Sequence, residues 1–117
     1  MAEVKLIIAI PTKNREGLED EVYELFARAP YFTIIELSEA QPPQLKEILE
    51  NQYKDLLHGV GPLVLKTLKD KGVTTIMLPE AGIGVKQLAK ELDIHQIEVK
   101  PGIKVRDALK EARQHPT

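Results

Sequence analysis

Apolar residues run almost without a break from Val4 to Ile10 (VKLIIAI), and Pro11 ends the run. A strand with one wet face would alternate apolar and polar residues, so this run predicts a central strand buried on both faces. Residues 12–20 (TKNREGLED) are polar, contain Gly17 and predict a loop. Glu21 to Arg28 predicts one short helical turn with Val22, Leu25 and Phe26 inward. Tyr31 to Leu37 (YFTIIEL) is β-branched and aromatic and predicts a second strand. Ser38 to Pro43, ending in a Pro-Pro pair, predicts a turn.

Residues 44–57 support two readings. Leu45, Ile48, Leu49, Tyr53, Leu56 and Leu57 recur at helical spacing. A Pro-Pro turn after a strand equally suits a hairpin whose partner is Gln44 to Glu50. Beyond residue 59 the pattern is plainer. Gly61-Pro62 opens a helix carrying Leu63, Val64, Leu65 and Leu68, closed by Lys71-Gly72, with proline and glycine at their favoured ends. Val73 to Leu78 reads as a strand, Ile83 to Leu92 as a helix and His95 to Val99 as a strand. Pro101-Gly102 is a turn, and Lys104 to Arg113 is a final helix with Val105, Ala108, Leu109 and Ala112 inward. Such alternation calls for parallel strands joined by right-handed crossovers, while the first half contributes a hairpin. A mixed sheet follows.

Length and composition narrow the function. A chain of 117 residues predicts one domain over 1–117, with a core that needs no disulfide or metal staple. Aromatics are 4% and Trp is absent, so that core is aliphatic. Sixteen Lys+Arg against 18 Asp+Glu give a formal charge of −2, which argues against general nucleic-acid binding. The first apolar run is too short for a signal or transmembrane segment, so no membrane association and a cytoplasmic location are expected. With no cysteine, thiolate catalysis and protein-thiolate cluster ligation are excluded.

Four blocks recur in an order that resembles the dinitrogenase iron-molybdenum cofactor biosynthesis family, the NifX/NifB C-terminal-like domains. They are Ile8-Ala9-Ile10-Pro11, Phe26-Ala27-Arg28-Ala29-Pro30-Tyr31-Phe32, His58-Gly59-Val60-Gly61 and Ala81-Gly82-Ile83-Gly84, with Asp93-Ile94 following in the same order. The resemblance covers essentially the whole chain. It implies an α/β, ribonuclease-H-like fold: a mixed five-stranded sheet flanked by helices, one strand antiparallel, with Gln44 to Glu50 as the third strand. Members bind or carry iron-molybdenum cofactor precursors. The family commonly reads His-Phe-Gly-Arg-Ala-Pro where this chain has Leu25-Phe26-Ala27-Arg28-Ala29-Pro30, so a natural metal ligand is replaced by leucine.

The candidate chemistry sits in loops. His58 offers an imidazole to a metal beside Gly59 and Gly61, where amides can meet a sulfide or carboxylate; the alternative is an exposed histidine in a structural turn. Gly82 and Gly84 offer two unshielded amides after a strand, or merely a tight turn. Neither the Rossmann nor the P-loop frame is present around them. Glu80 suits contact with a ligand or, better, capping of the following helix's dipole, and Arg28 either an anionic ligand or an ion pair with Glu24. His95 and His115 read as uninvolved. The first strand carries no Asp or Glu at its centre, against two-metal nuclease chemistry. The single serine, Ser38, has no histidine near it in sequence.

These readings predict a non-enzymatic binding protein. Arg28, His58, Gly59, Gly61, Gly82 and Gly84 would hold a small anionic ligand or metallocluster, an iron–sulfur or iron-molybdenum cofactor precursor, with His58 as the metal ligand. The alternative, favoured by Leu25, is an interaction or regulatory module with a protein partner that kept the fold and lost the ligand.

Overall fold

The structure is a computed structural model that describes residues 5–80 and 82–113. Val4, Ala81 and His115 lie outside the described residues. The elements are β1 (Lys5–Thr12), a 3-10 turn (Gly17–Glu19), β2 (Tyr31–Ser38), β3 (Gln44–Glu50), α1 (Val60–Asp70), β4 (Thr75–Leu78), α2 (Ile83–Glu91), β5 (His95–Glu98) and α3 (Val105–Arg113). They form a five-stranded sheet of order β3-β2-β1-β4-β5. β2 is antiparallel to both β1 and β3, while β4 is parallel to β1 and β5 to β4. One strand therefore runs against the other four. Among the described residues no helix is long and apolar enough to cross a membrane.

The sheet is covered on both sides, which is why β1 reads as an unbroken apolar run. Ala9, Phe32, Ile34 and Ile76 pack with Val60, Val64, Leu65 and Leu68 of α1 and Ala89 of α2. Ile8, Ile10, Ile35 and Met77 face the other way, against Val105, Ala108, Leu109 and Ala112 of α3. The four apolar positions expected to face inward on the last helix are all buried there.

Residues 44–50 are a strand, so the helical spacing of the 44–57 segment is coincidental. Leu49 lies opposite Phe32 and packs toward α1, whereas Leu56 and Leu57 are exposed in the following loop. The β2–β3 register slips where Ile34 faces Glu47 and Ile35 faces Leu45, leaving Lys46 as the extra residue of a bulge.

The helical turn expected over Glu21–Arg28 is not formed. Val22 bridges to Thr12 and Glu21 to Lys104, and the Val22 N–H donates to the Ile103 carbonyl at 2.9 Å. The reason is that Val22 packs on the α3 side of the sheet and Phe26 on the α1 side. One helical turn would place residues four apart on the same face. Leu25, expected inward, is 53% exposed.

Both crossover helices end in the same way. Gly72 (φ +84°) follows α1 and the Val73 N–H reaches back to the Leu68 carbonyl; Asp93 (φ +60°) follows α2 and the Ile94 N–H reaches the Ala89 carbonyl. Asp93→Gly removes the left-handed strain of a side-chain-bearing residue. It is expected to raise the urea midpoint, corresponding to at most about 1 kcal/mol.

Candidate functional site

The loops that carry Arg28, His58 to Gly61 and Gly82 to Gly84 come to one edge of the sheet. Thr12 pairs with Tyr31, and Tyr31 with Glu50, so the end of β1, the start of β2 and the end of β3 lie side by side. Because β4 and β5 run parallel to β1, their carboxyl ends at Leu78 and Glu98 join them. Ligands of open α/β sheets gather at this edge, where crossover helices begin with unpaired N–H groups.

Two helix starts meet there. A Cβ placed on Gly61, in the first turn of α1, would lie 3.3 Å from Cγ2 of Val85 in the first turn of α2. The two glycine motifs are thus neighbours. Neither helix has a side-chain cap: Gly59 is the N-cap of α1 and Gly82 that of α2. Among the described residues no hydrogen bond takes up the amides of Val60 and Gly61, or those of Ile83 and Gly84. Glu80 makes no side-chain cap bond to α2 and borders an open groove with Glu24, Glu98 and Glu111.

The four site glycines are not equivalent. Gly59 has φ +75°, a backbone that side-chain-bearing residues avoid, and Gly61 is crowded by Val85. The fold favours glycine at 59 by its backbone, and at 61 a side chain would need Val85 to shift by a few tenths of an ångström. Gly82 (φ −68°, ψ 164°) and the helical Gly84 have conformations open to any residue, and a Cβ on either would meet nothing within 4 Å among the described residues. Among the described residues nothing in the packing requires glycine there. Gly59→Ala is accordingly expected to cost about 1 kcal/mol by backbone strain alone, read as a lower urea midpoint at unchanged slope.

His58 and Gly59 are exposed, immediately before α1. Arg28 is exposed as well, and it does not pair with Glu24. Its Nη1 donates to the carbonyls of Lys54 at 2.8 Å and Leu56 at 3.0 Å, in the loop that leads to His58. Arg28 and His58 are therefore joined through one loop. His95 is exposed at the start of β5. Among the described residues no group of three His, Asp or Glu side chains could hold a metal ion.

Two residues that shape this edge carry no signal in the sequence: Asp20 closes the polar loop 12–20, and Asn51 lies in the segment 44–57 that supports two readings. Asn51 is 4% exposed, and its Nδ2 donates to the carbonyls of Ala27 (2.8 Å) and Ala29 (2.9 Å). Asp20 is 1% exposed, and its carboxylate accepts the N–H groups of Asn14, Glu16 and Glu21. Polar residues in a polar stretch carry no sequence signal of such burial. Arg15, in the loop that Asp20 organises, lies over the Tyr31 ring at 4.9 Å and 3.5 Å from Glu50. Tyr31 first, and Glu50 after it, raise the pKa of the Arg15 guanidinium, which stays cationic.

Apolar side chains are exposed along the same edge: Leu57 at 86%, Ile83 at 74%, and Leu25 and Leu56 to lesser extents.

Similarity to other proteins follows the whole fold. The apo orange protein of Desulfovibrio gigas superposes with a TM-score of 0.80 at 21% identity, covering 97% of this chain and 91% of that one. At that identity the likeness shows the fold alone. A candidate NifB protein from Thermotoga, of the DUF35 family, has a TM-score of 0.73 at 28% identity, covering 93% of this chain and 88% of that one. No curated protein matches the sequence. The dinitrogenase iron-molybdenum cofactor family model matches residues 4–115, and the chain belongs to that family.

Proposed function

We propose that the protein is a small, non-enzymatic carrier that holds a preassembled anionic metallocluster, an iron–sulfur or iron-molybdenum cofactor precursor, at the edge formed by Arg28, His58, Gly59, Gly61, Gly82 and Gly84. One observation carries this reading: Gly82 and Gly84 lack side chains at positions where the fold does not need glycine. They flank the open amides of a helix start, beside a second such start at Gly61. Bare backbone at a helix N-terminus suits close approach of an anion.

The donor set also sets the kind of cargo. Without cysteine, and with no group of three metal-ligating side chains among the described residues, the edge is poorly suited to a bare ion. It fits a cluster that brings its own sulfides, which amides can hydrogen-bond while His58 supplies one imidazole to a metal. Family membership supports this cargo class, and the strand order with β2 alone reversed supports the ribonuclease-H-like assignment. Anaerobic incubation with a preformed iron–sulfur cluster or cofactor precursor tests it: visible absorption and protein-bound iron are expected, and His58→Ala should diminish both.

A second reading rests on a different observation. The exposed Leu57 and Ile83 beside the glycine motifs suit a protein surface, and Leu25 stands where the family carries histidine. In that case the chain is an interaction module whose cluster ligand is gone. The edge is not packed shut, since Leu25 is exposed and only Phe26 is buried.

A further inference from the structure

The loop between β3 and α1 and the segment before β2 hold each other by reciprocal backbone grips. Asn51 is the root. Besides its two bonds to the carbonyls of Ala27 and Ala29, which flank Arg28, its Oδ1 accepts the Tyr53 N–H at 3.1 Å. Its own N–H donates to the Pro30 carbonyl at 3.0 Å. Arg28 returns the grip farther along, through Nη1 on the carbonyls of Lys54 and Leu56. Between these points the Leu56 N–H closes a turn onto the Tyr53 carbonyl at 3.1 Å. The far end is Gly59, in the left-handed region, where the chain turns into α1.

The two fastenings differ in kind. Asn51 is buried, and its amide makes all its bonds to backbone, where a lost partner would leave groups stranded. The Arg28 bonds are exposed and compete with water. Past Tyr53, which packs partly against the core, the loop carries Lys54 and Asp55 paired with each other and the exposed Leu56, Leu57 and His58. Residues 52–58 are thus anchored firmly at one end and held in the middle by a single guanidinium. Local opening follows such exposed hydrogen bonds and sparse apolar contact.

We propose that residues 52–58 form a strap latched by Arg28, which acts on the edge as a positioning residue by fixing the backbone that presents His58. The latch itself is independent of any cargo; its use in retaining or releasing one rests on the carrier reading above. Because the guanidinium grips the loop on both sides of Asp55, losing it frees the middle of the strap while Asn51 still holds the root.

Hydrogen exchange of the unliganded full chain tests this. In Arg28→Ala the Leu56 amide, which closes the turn onto the Tyr53 carbonyl, is expected to exchange about tenfold faster, with those of Ile8, Ile10 and Ile76 unchanged. Arg15→Ala, an arginine at the same edge that grips Tyr31 and Glu50 instead, should leave the strap as in the wild type. Unchanged exchange of the strap in Arg28→Ala overturns the latch. So does a uniform rise across β1 and β4, which would make Arg28 a global stability element. Iron retention after reconstitution is read separately on the wild-type chain: if it fails there, the carrier reading falls and the exchange result still decides the latch.

Discussion

Asp20→Ala is expected to destabilise the fold by about 3 kcal/mol, the largest single effect among the loop residues. The carboxylate is buried and receives three backbone N–H groups, with Glu21 at 2.8 Å and Asn14 and Glu16 each at 3.1 Å. Hydrogen bonds to a charged acceptor contribute roughly 1.5–3 kcal/mol each, discounted here because the donors are only partly buried and the three are not additive. The Asp20 backbone is engaged too: its N–H donates to the Gly17 carbonyl, and its carbonyl accepts the Val105 N–H at the start of α3. Loss of the side chain therefore loosens the β1–β2 connection and the seat of α3 together. Asp20→Asn keeps the size but puts an amide donor where an acceptor is needed, so it should recover only part of the loss. Urea denaturation of the two variants measures this, and a midpoint within error of wild type for Asp20→Ala would contradict it.

The second large effect separates stability from binding. The double variant Gly82→Ala, Gly84→Ala is expected to fold with stability close to wild type. Alanine is favoured over glycine at Gly84, inside α2, by up to about 1 kcal/mol and disfavoured by a similar amount at the N-cap Gly82, and neither new Cβ meets a neighbour among the described residues. The same methyl groups would stand where a cluster must touch the amides of Ile83 and Gly84. Iron retention after anaerobic reconstitution should fall at least about tenfold, equivalent to about 1.4 kcal/mol. A variant that melts early would mean that the turn needs these glycines. Retention equal to wild type would place the cluster elsewhere.

Much of the architecture could be read from the residues. The apolar run at Val4–Ile10, the helix bounded by Gly61-Pro62 and Gly72, and the alternation from residue 59 onward gave the parallel half of the sheet, because both periodicity and punctuation agreed there. The segment 21–28 was legible in its apolar residues but not in its path. Val22 and Phe26 are both buried, yet on opposite faces of the sheet, a distinction that spacing cannot make. Asn51 and Asp20 were illegible for another reason: a polar residue in a polar stretch reads as solvated until its partners, which lie on other segments, are placed. The glycine motifs are visible in the sequence, but only φ values and neighbour distances separate Gly59, whose backbone favours glycine, and Gly61, which Val85 crowds, from Gly82 and Gly84, which have neither constraint.

Leu25 now bears on the choice between the two functional readings. It stands 53% exposed, so a histidine at this position would reach solvent beside Phe26 and Arg28. Leu25→His is therefore expected to fold normally and, if the carrier reading holds, to raise iron retention above wild type by adding a second imidazole donor. Iron and visible absorption measured after reconstitution check it.

The most direct test of the carrier reading uses the wild-type chain itself. The protein is incubated anaerobically with a preformed iron–sulfur cluster or an iron-molybdenum cofactor precursor, desalted, and analysed for bound metal and visible absorption. Metal that co-elutes with the protein and a charge-transfer absorption band are expected, with a marked loss of both in His58→Ala. Protein that elutes colourless and free of metal under every condition would contradict the carrier reading.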